Sequence, residues 1–253
     1  MSGPLFWRFA VVEEEGDERL FSALGVSDFF VAHEARKAAW REFWLLGCAA
    51  TSDGWEKRNL VGWPGNIEVV IIDRLSRSIG SYYVGGSSIK GIRRQGGDRA
   101  LVDIRLSGFF HRVPTVGAEG LWEDRRQGVP LEVAEWKVLS EIDRIAWLEV
   151  ARIMASSSQG VDDLSGKTFV LDGEVIADSS SFYCAFGELV NGPAGYFGSD
   201  VNSLADCLSG GFGVVPPFTV AWKASSHSAT LMGDDFDEIT ALFTERGVNL
   251  ILE

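Results

Sequence analysis

The chain has 253 residues, 46% of them hydrophobic, with 23 basic and 36 acidic side chains and a formal net charge of −13. That length suits two modest domains, and no apolar run approaches the ~20 residues of a membrane span. So acidic a balance argues against a nucleic-acid-binding chain, and three cysteines without metal-type spacing suit a reducing compartment. The opening residues lack the basic-then-apolar order of a secretion signal, so a cytoplasmic protein is expected.

Along the first part of the chain, short segments rich in Val, Ile, Phe and Tyr are predicted as strands at 5–12, 29–31, 67–73, 80–84 and 101–106. Residues 73–79 read as a hairpin connection between two of them. Residues 35–46 have a helix-like composition, yet Phe43-Trp44-Leu45-Leu46 reads equally as a strand. Ser140-Glu141-Ile142-Asp143 opens a helix predicted to run to Ala155, with Ile142, Ile145, Ala146, Ile153 and Met154 on its apolar face. The polar run 156–163 then reads as a linker. The expected organisation is a mainly β domain with a C-terminal helix (α+β) over 1–155, a linker at 156–164 and a second domain over 165–253.

Eight of the nine tryptophans lie in the first domain. Trp40, Trp44, Trp55 and Trp63 either line a ligand pocket or interface or, more commonly for such residues, serve as packing. Lys90, Arg93, Arg94 and Arg99 form a basic cluster, read as a contact for an acidic partner or as a solvated loop.

The second domain opens with a strand at 167–171 and the turn Asp172-Gly173-Glu174, followed by a helix over 178–190. Gly192-Pro193 and an aromatic turn, Tyr196-Phe197-Gly198, lead into a short helix. There Val201, Leu204, Cys207 and Leu208 recur at helical spacing and make one buried stripe. Asn202, Ala205 and Asp206 fall on the opposite stripe, with Asn202 and Asp206 four residues apart and therefore adjacent. Asp206 stands in the last turn, where the helix dipole disfavours an anion by about 0.3–1 kcal/mol. A carboxylate that costs stability where it stands points to a binding role. A strand over 216–222, an acidic-started helix and a last strand over 248–252 complete the chain.

These motifs, in this order, resemble the barstar family of intracellular ribonuclease inhibitors over about residues 165–253. The likeness rests on the first strand with its Asp172-Gly173-Glu174 turn and on the aromatic-aromatic-Gly turn. It also rests on the run Leu204-Ala205-Asp206-Cys207-Leu208 and on the strand that ends at Trp222. The chain departs from the family at Asp200 and Asn202, where the two polar types are exchanged, at Ala205, which replaces a tryptophan, and in a shorter helix before the last strand. The resemblance implies a barstar-like α/β layer of three parallel strands with helices. It also implies a bacterial immunity protein that inhibits a ribonuclease toxin by placing the acidic helix and its preceding loop in the active site. Tyr196, Phe197, Gly198, Asp200, Asn202, Ala205 and Asp206 are the contacts it implies, with Glu245 in addition.

The physical logic is that a ribonuclease cleft carries Arg, Lys and His aimed at phosphate. A carboxylate held on a helix can take the phosphate position and accept charge-assisted hydrogen bonds from those donors. Residues 165–253 hold three basic and twelve acidic side chains, which suits attraction to a basic protein. The expected partner is thus a basic ribonuclease toxin, with no direct nucleic acid, no membrane, no cofactor and no metal. Two other readings stand beside it. The acidic helix serves a non-inhibitory adaptor, or the Trp-rich first domain binds a small molecule and regulates the second.

Enzymatic chemistry is weakly represented. Ser165-Gly166-Lys167-Thr168 is like a phosphate loop, but its upstream glycine is Gly160, one residue too far, and it leads into a predicted strand. His33, His111 and His227 show no metal-like pairing, and no nucleophile-elbow pattern occurs. A non-enzymatic protein is expected.

Overall fold

The computed structural model describes residues 6–14, 19–32, 37–50, 65–94, 101–128, 132–157 and 161–253. The chain divides into two compact units, Met1–Gln127 and Gly128–Glu253. The division falls upstream of the linker expected at 156–164, because the helix that precedes that segment packs with the second unit.

The first unit contains β1 (Phe9–Glu13), β2 (Arg19–Ala23), β3 (Gly25–Ser27), β4 (Ala39–Ala50), β5 (Gly65–Ile72), β6 (Ser78–Arg94), β7 (Val102–Phe110) and helix α1 (Val116–Arg125). The strands run in the order β2-β1-β5-β6-β7-β4-β3, and a further pairing of β2 with β4 closes six of them into a ring. Alternation fixes the inward face: Ile67, Val69 and Ile71 of β5, Phe43 and Leu45 of β4, and Ile104 and Leu106 of β7 are all buried. Phe29 packs edge-on against Phe43, Phe110 and Tyr82. Trp122 of α1 donates to the Tyr82 hydroxyl at 2.9 Å, which ties the helix to the strands.

Residues 39–50 are strand, not helix, because the burial of Phe43 and Leu45 alternates with exposure at Glu42 and partial exposure at Trp44. The strand expected at 29–31 reduces to a single bridge between Val31 and Thr115. β1 begins at Phe9; Leu5 lies outside the described residues. The hairpin at 73–79 is present, and Asp73 organises it by accepting from the Leu75 and Arg77 amides, both at 2.8 Å. The helix that closes this unit is α1, which the sequence reading had missed.

The second unit starts with a 3-10 turn (Glu135–Val138), α2 (Glu141–Ser157) and β8 (Val161–Leu164). It continues through β9 (Thr168–Asp172), a 3-10 turn (Gly173–Val175), α3 (Ser179–Asn191), α4 (Val201–Cys207), β10 (Phe212–Val214), β11 (Thr219–Lys223), α5 (Ser225–Met232), α6 (Asp234–Glu245) and β12 (Asn249–Leu252). β12, β11 and β9 form a three-stranded parallel sheet with β11 central, and β10 pairs in parallel with β8. This is the layer of three parallel strands with helices expected from the sequence.

The core of this unit is aromatic. Trp222 of β11 stacks on Phe182 of α3 at 5.1 Å, and Phe186 packs against Phe197 and Phe243. Burial of such rings dominates the stabilisation of a layer this thin. α2 docks through charge as well as apolar contact. Arg144 pairs with Asp178, the N-cap of α3, and donates to the Ser180 hydroxyl at 3.0 Å. Glu188, buried on α3, accepts from the Ala134 amide at 2.6 Å and the Trp136 indole at 2.8 Å.

Candidate functional site

The short helix α4 is pinned at its start. At its start Asp200 is the N-cap: its carboxylate accepts from the Ser203 amide at 2.7 Å, and the Ser203 hydroxyl accepts from the Asp200 amide at 3.0 Å. This reciprocal box satisfies donors that a seven-residue helix would otherwise leave to water. Gly198, with φ +97°, lets the preceding turn pass against the helix, since a Cβ there would lie 2.9 Å from Leu204 Cα.

The rings of Tyr196 and Phe197 are 4% and 0% exposed. They give no flat contact surface. They build the turn from beneath, Phe197 against Phe186 and Tyr196 against Phe212. Burial raises the Tyr196 phenol, partly opposed by the nearby Ser199 and Ser203, so it stays a neutral hydroxyl. What reaches solvent is polar: Asp200, Asn202 and Asp206 are exposed and Ala205 is partly exposed, while Leu204, Cys207 and Leu208 are buried. The amphipathic split drawn from spacing is observed, except that Val201 of the apolar stripe is only half-buried. The Cys207 thiol, pushed up to about 12 by burial and then by the charges of Asp206 and Asp200, senses both carboxylates.

α4 packs beside α6. The charges of Asp200, Asp235 and Glu238 all act on the Tyr183 phenol, which is raised by burial first and by these charges after. At the other end the Arg246 guanidinium donates to the Ser209 hydroxyl at 3.3 Å. Glu245, exposed at the last turn of α6, is thus brought to the same end as Asp206. Ala205, partly exposed, puts no large side chain on this rim. Asp235 and Glu238, exposed near the start of α6, act on Tyr183 together with Asp200 and are not among the residues singled out from sequence. The missed signal was tertiary, the side-by-side placement of α4 and α6.

Elsewhere, Trp40 is 64% exposed, and Trp44 lies under the guanidinium groups of Arg93 and Arg105 at 5.1 and 5.7 Å. Trp55, Trp63, Arg99 and His33 lie outside the described residues. Arg93 of the basic cluster is paired with buried Asp103 at 2.7 Å. Among the described residues no group of His, Cys, Asp and Glu is placed to hold a metal ion, and no helix is long and apolar enough to cross a membrane.

Comparison with curated proteins gives no match. The family model described as Barstar (barnase inhibitor) matches residues 166–249, which span β9 to the start of β12 and include the whole of α4. The C-terminal unit carries a barstar domain.

Proposed function

We propose that the second unit binds and inhibits a basic ribonuclease toxin, acting as a cytoplasmic bacterial immunity protein without catalytic activity of its own. The observation that carries this reading is the exposed carboxylate row of α4, Asp200 and Asp206, held on a helix pinned at its start and joined by Glu245. Barstar-family members are inhibitors and not enzymes, and the family match covers every one of these residues. Asp206 acts as the phosphate mimic, Asn202 and Asp200 supply flanking hydrogen bonds, and Glu245 adds charge at the edge. Tyr196, Phe197 and Gly198 contribute by shaping the turn.

The charge distribution supports the same reading. Residues 128–253 hold six basic and nineteen acidic side chains, so the entire −13 of the chain resides in this unit. Such a surface repels RNA and DNA, and it attracts the cationic cleft of an enzyme that binds them.

The test is an RNA-cleavage assay with barnase and with any ribonuclease encoded beside this gene, titrated with the full chain and with Asp206→Ala. Stoichiometric inhibition by the full chain is expected. Asp206→Ala should weaken binding by about 2–5 kcal/mol, the general range for truncating one partner of a desolvated charge pair, for which barstar complexes are themselves a reference case. A change below about 0.5 kcal/mol, the size typical of an exposed pair, would remove Asp206 from the centre of the interface.

A further inference from the structure

Asp163 lies in β8, in a segment that by composition is a polar linker outside the family match. Its carboxylate reaches across to the loop that leaves α4. Oδ2 accepts from the Gly211 amide at 2.7 Å, and Oδ1 accepts from the Phe212 and Gly213 amides at 3.2 and 2.9 Å. Gly210, Gly211 and Gly213 have φ of +120°, +84° and +100°, so three successive amides turn inward as a concave nest that favours an anion. Gly210 must also lack a side chain, because a Cβ there would lie 3.0 Å from the Asp163 carboxylate.

We propose that Asp163 is a positioning residue for the inhibitory surface, fixing the exit of α4 as Asp200 fixes its entry. This rests on the inhibitor reading above. α4 has only seven residues, too few to hold its own shape in water. Its last turn continues directly into the nest through Ser209, whose amide donates to the Asp206 carbonyl at 3.0 Å, and Gly210, whose amide donates to that of Cys207 at 3.2 Å. Three amides separate Asp206 from Gly210, and the nest begins at the next residue. Without the Asp163 carboxylate, Gly211–Gly213 lose their acceptor and a glycine-rich exit is free to unwind back into the turn that carries Asp206. The segment before residue 166 is on this view part of the inhibitor, holding the helix from behind.

The experiment compares wild-type full chain with Asp163→Ala by amide hydrogen exchange. Asp163→Asn, which keeps the shape and one acceptor oxygen, covers the case in which the alanine variant does not fold. Exchange at residues 211–213 and also at 206–210 should rise about ten- to a hundredfold, as for loss of hydrogen bonds to a charged group. Protection in α3 and β11 should stay unchanged. Added acetate should restore part of the protection in Asp163→Ala by entering the vacated nest, which a merely structural loss would not allow. Unchanged exchange at 206–210 overturns the proposal. Barnase inhibition run in parallel separates the two claims. If wild type inhibits and Asp163→Ala inhibits equally well, Asp163 has no positioning role. If wild type itself fails to inhibit, the inhibitor reading falls, and the exchange data alone decide whether Asp163 holds the exit of α4.

Discussion

Glu188 is the residue on which two segments of the second unit converge. Its carboxylate accepts from the Ala134 amide, the Trp136 indole and, at 3.0 Å, the Ala194 amide that opens the turn before α4. Glu188→Ala should cost about 3 kcal/mol in denaturant unfolding, because each buried donor left without an acceptor costs about 1–3 kcal/mol. Glu188→Gln, which keeps an acceptor oxygen, should cost clearly less. Gly198→Ala forces a side chain onto the Leu204 backbone at a left-handed position, and about 1–3 kcal/mol of destabilisation should follow in thermal melts. Asp178 sets a pH dependence. Burial pushes its carboxyl up, but hydrogen bonds from Ser180, the Ser181 amide and Arg144, with the Arg144 charge, outweigh that and hold it below the usual carboxylate range. A folded value below the unfolded one means the contribution is complete above the unfolded value near 3.8 and is lost as pH falls through the folded value. Melting temperatures of Arg144→Met should accordingly differ most from wild type near neutral pH and converge with it in acid. The Glu188 network was not legible from sequence, since two of its three donors come from positions more than 50 residues upstream and a lone Glu on a helix reads as solvent-facing.

At the scale of elements, the helix α4 and its cap were readable because their signals are local: a period of apolar residues, an acid at the start and glycines at the end. Ser203→Ala, which removes the hydroxyl that accepts from the Ser199 and Asp200 amides, should lower stability by about 1 kcal/mol and weaken ribonuclease binding with it. Residues 39–50 stayed ambiguous between helix and strand because Trp, Phe and Leu suit both. Pairing with β7 along nearly its whole length decides it. β8 was read as a linker because a four-residue strand carries little pattern of its own; its partner β10 lies some fifty residues on. α1 was missed for a similar reason. Its two glycines and scattered acids give almost no amphipathic signal, and Trp122 is held by the Tyr82 hydroxyl forty residues upstream.

At the scale of the molecule, charge is segregated by unit. Residues 1–127 hold seventeen basic and seventeen acidic side chains, leaving the first unit neutral. Association with a basic ribonuclease should therefore slow steeply as salt rises, both for the full chain and for residues 128–253, in stopped-flow measurements. A fragment of residues 165–253, the span suggested by the family resemblance, should be less stable than 128–253. It lacks Arg144, which pairs with Asp178, Ala134 and Trp136, which bond Glu188, and Asp163, which fills the glycine nest. Comparing their denaturant midpoints checks this. The sequence located where the barstar-like motifs begin but not where the folding unit begins, because the partners of the added helix, such as Asp178 and Ser180 for Arg144, are met only in the fold. Each unit also contains its own buried thiol, Cys48 in the first and Cys184 and Cys207 in the second. Burial, with Asp103 near Cys48 and Asp206 near Cys207, pushes both of those thiols up to about 12. At pH 8 only about one in ten thousand such groups is ionised, so an alkylating reagent meets almost no thiolate until the surrounding structure opens. The rate at which each cysteine is labelled then becomes a clock on the opening of its own surroundings, with Cys207 timing the very helix that carries Asp206.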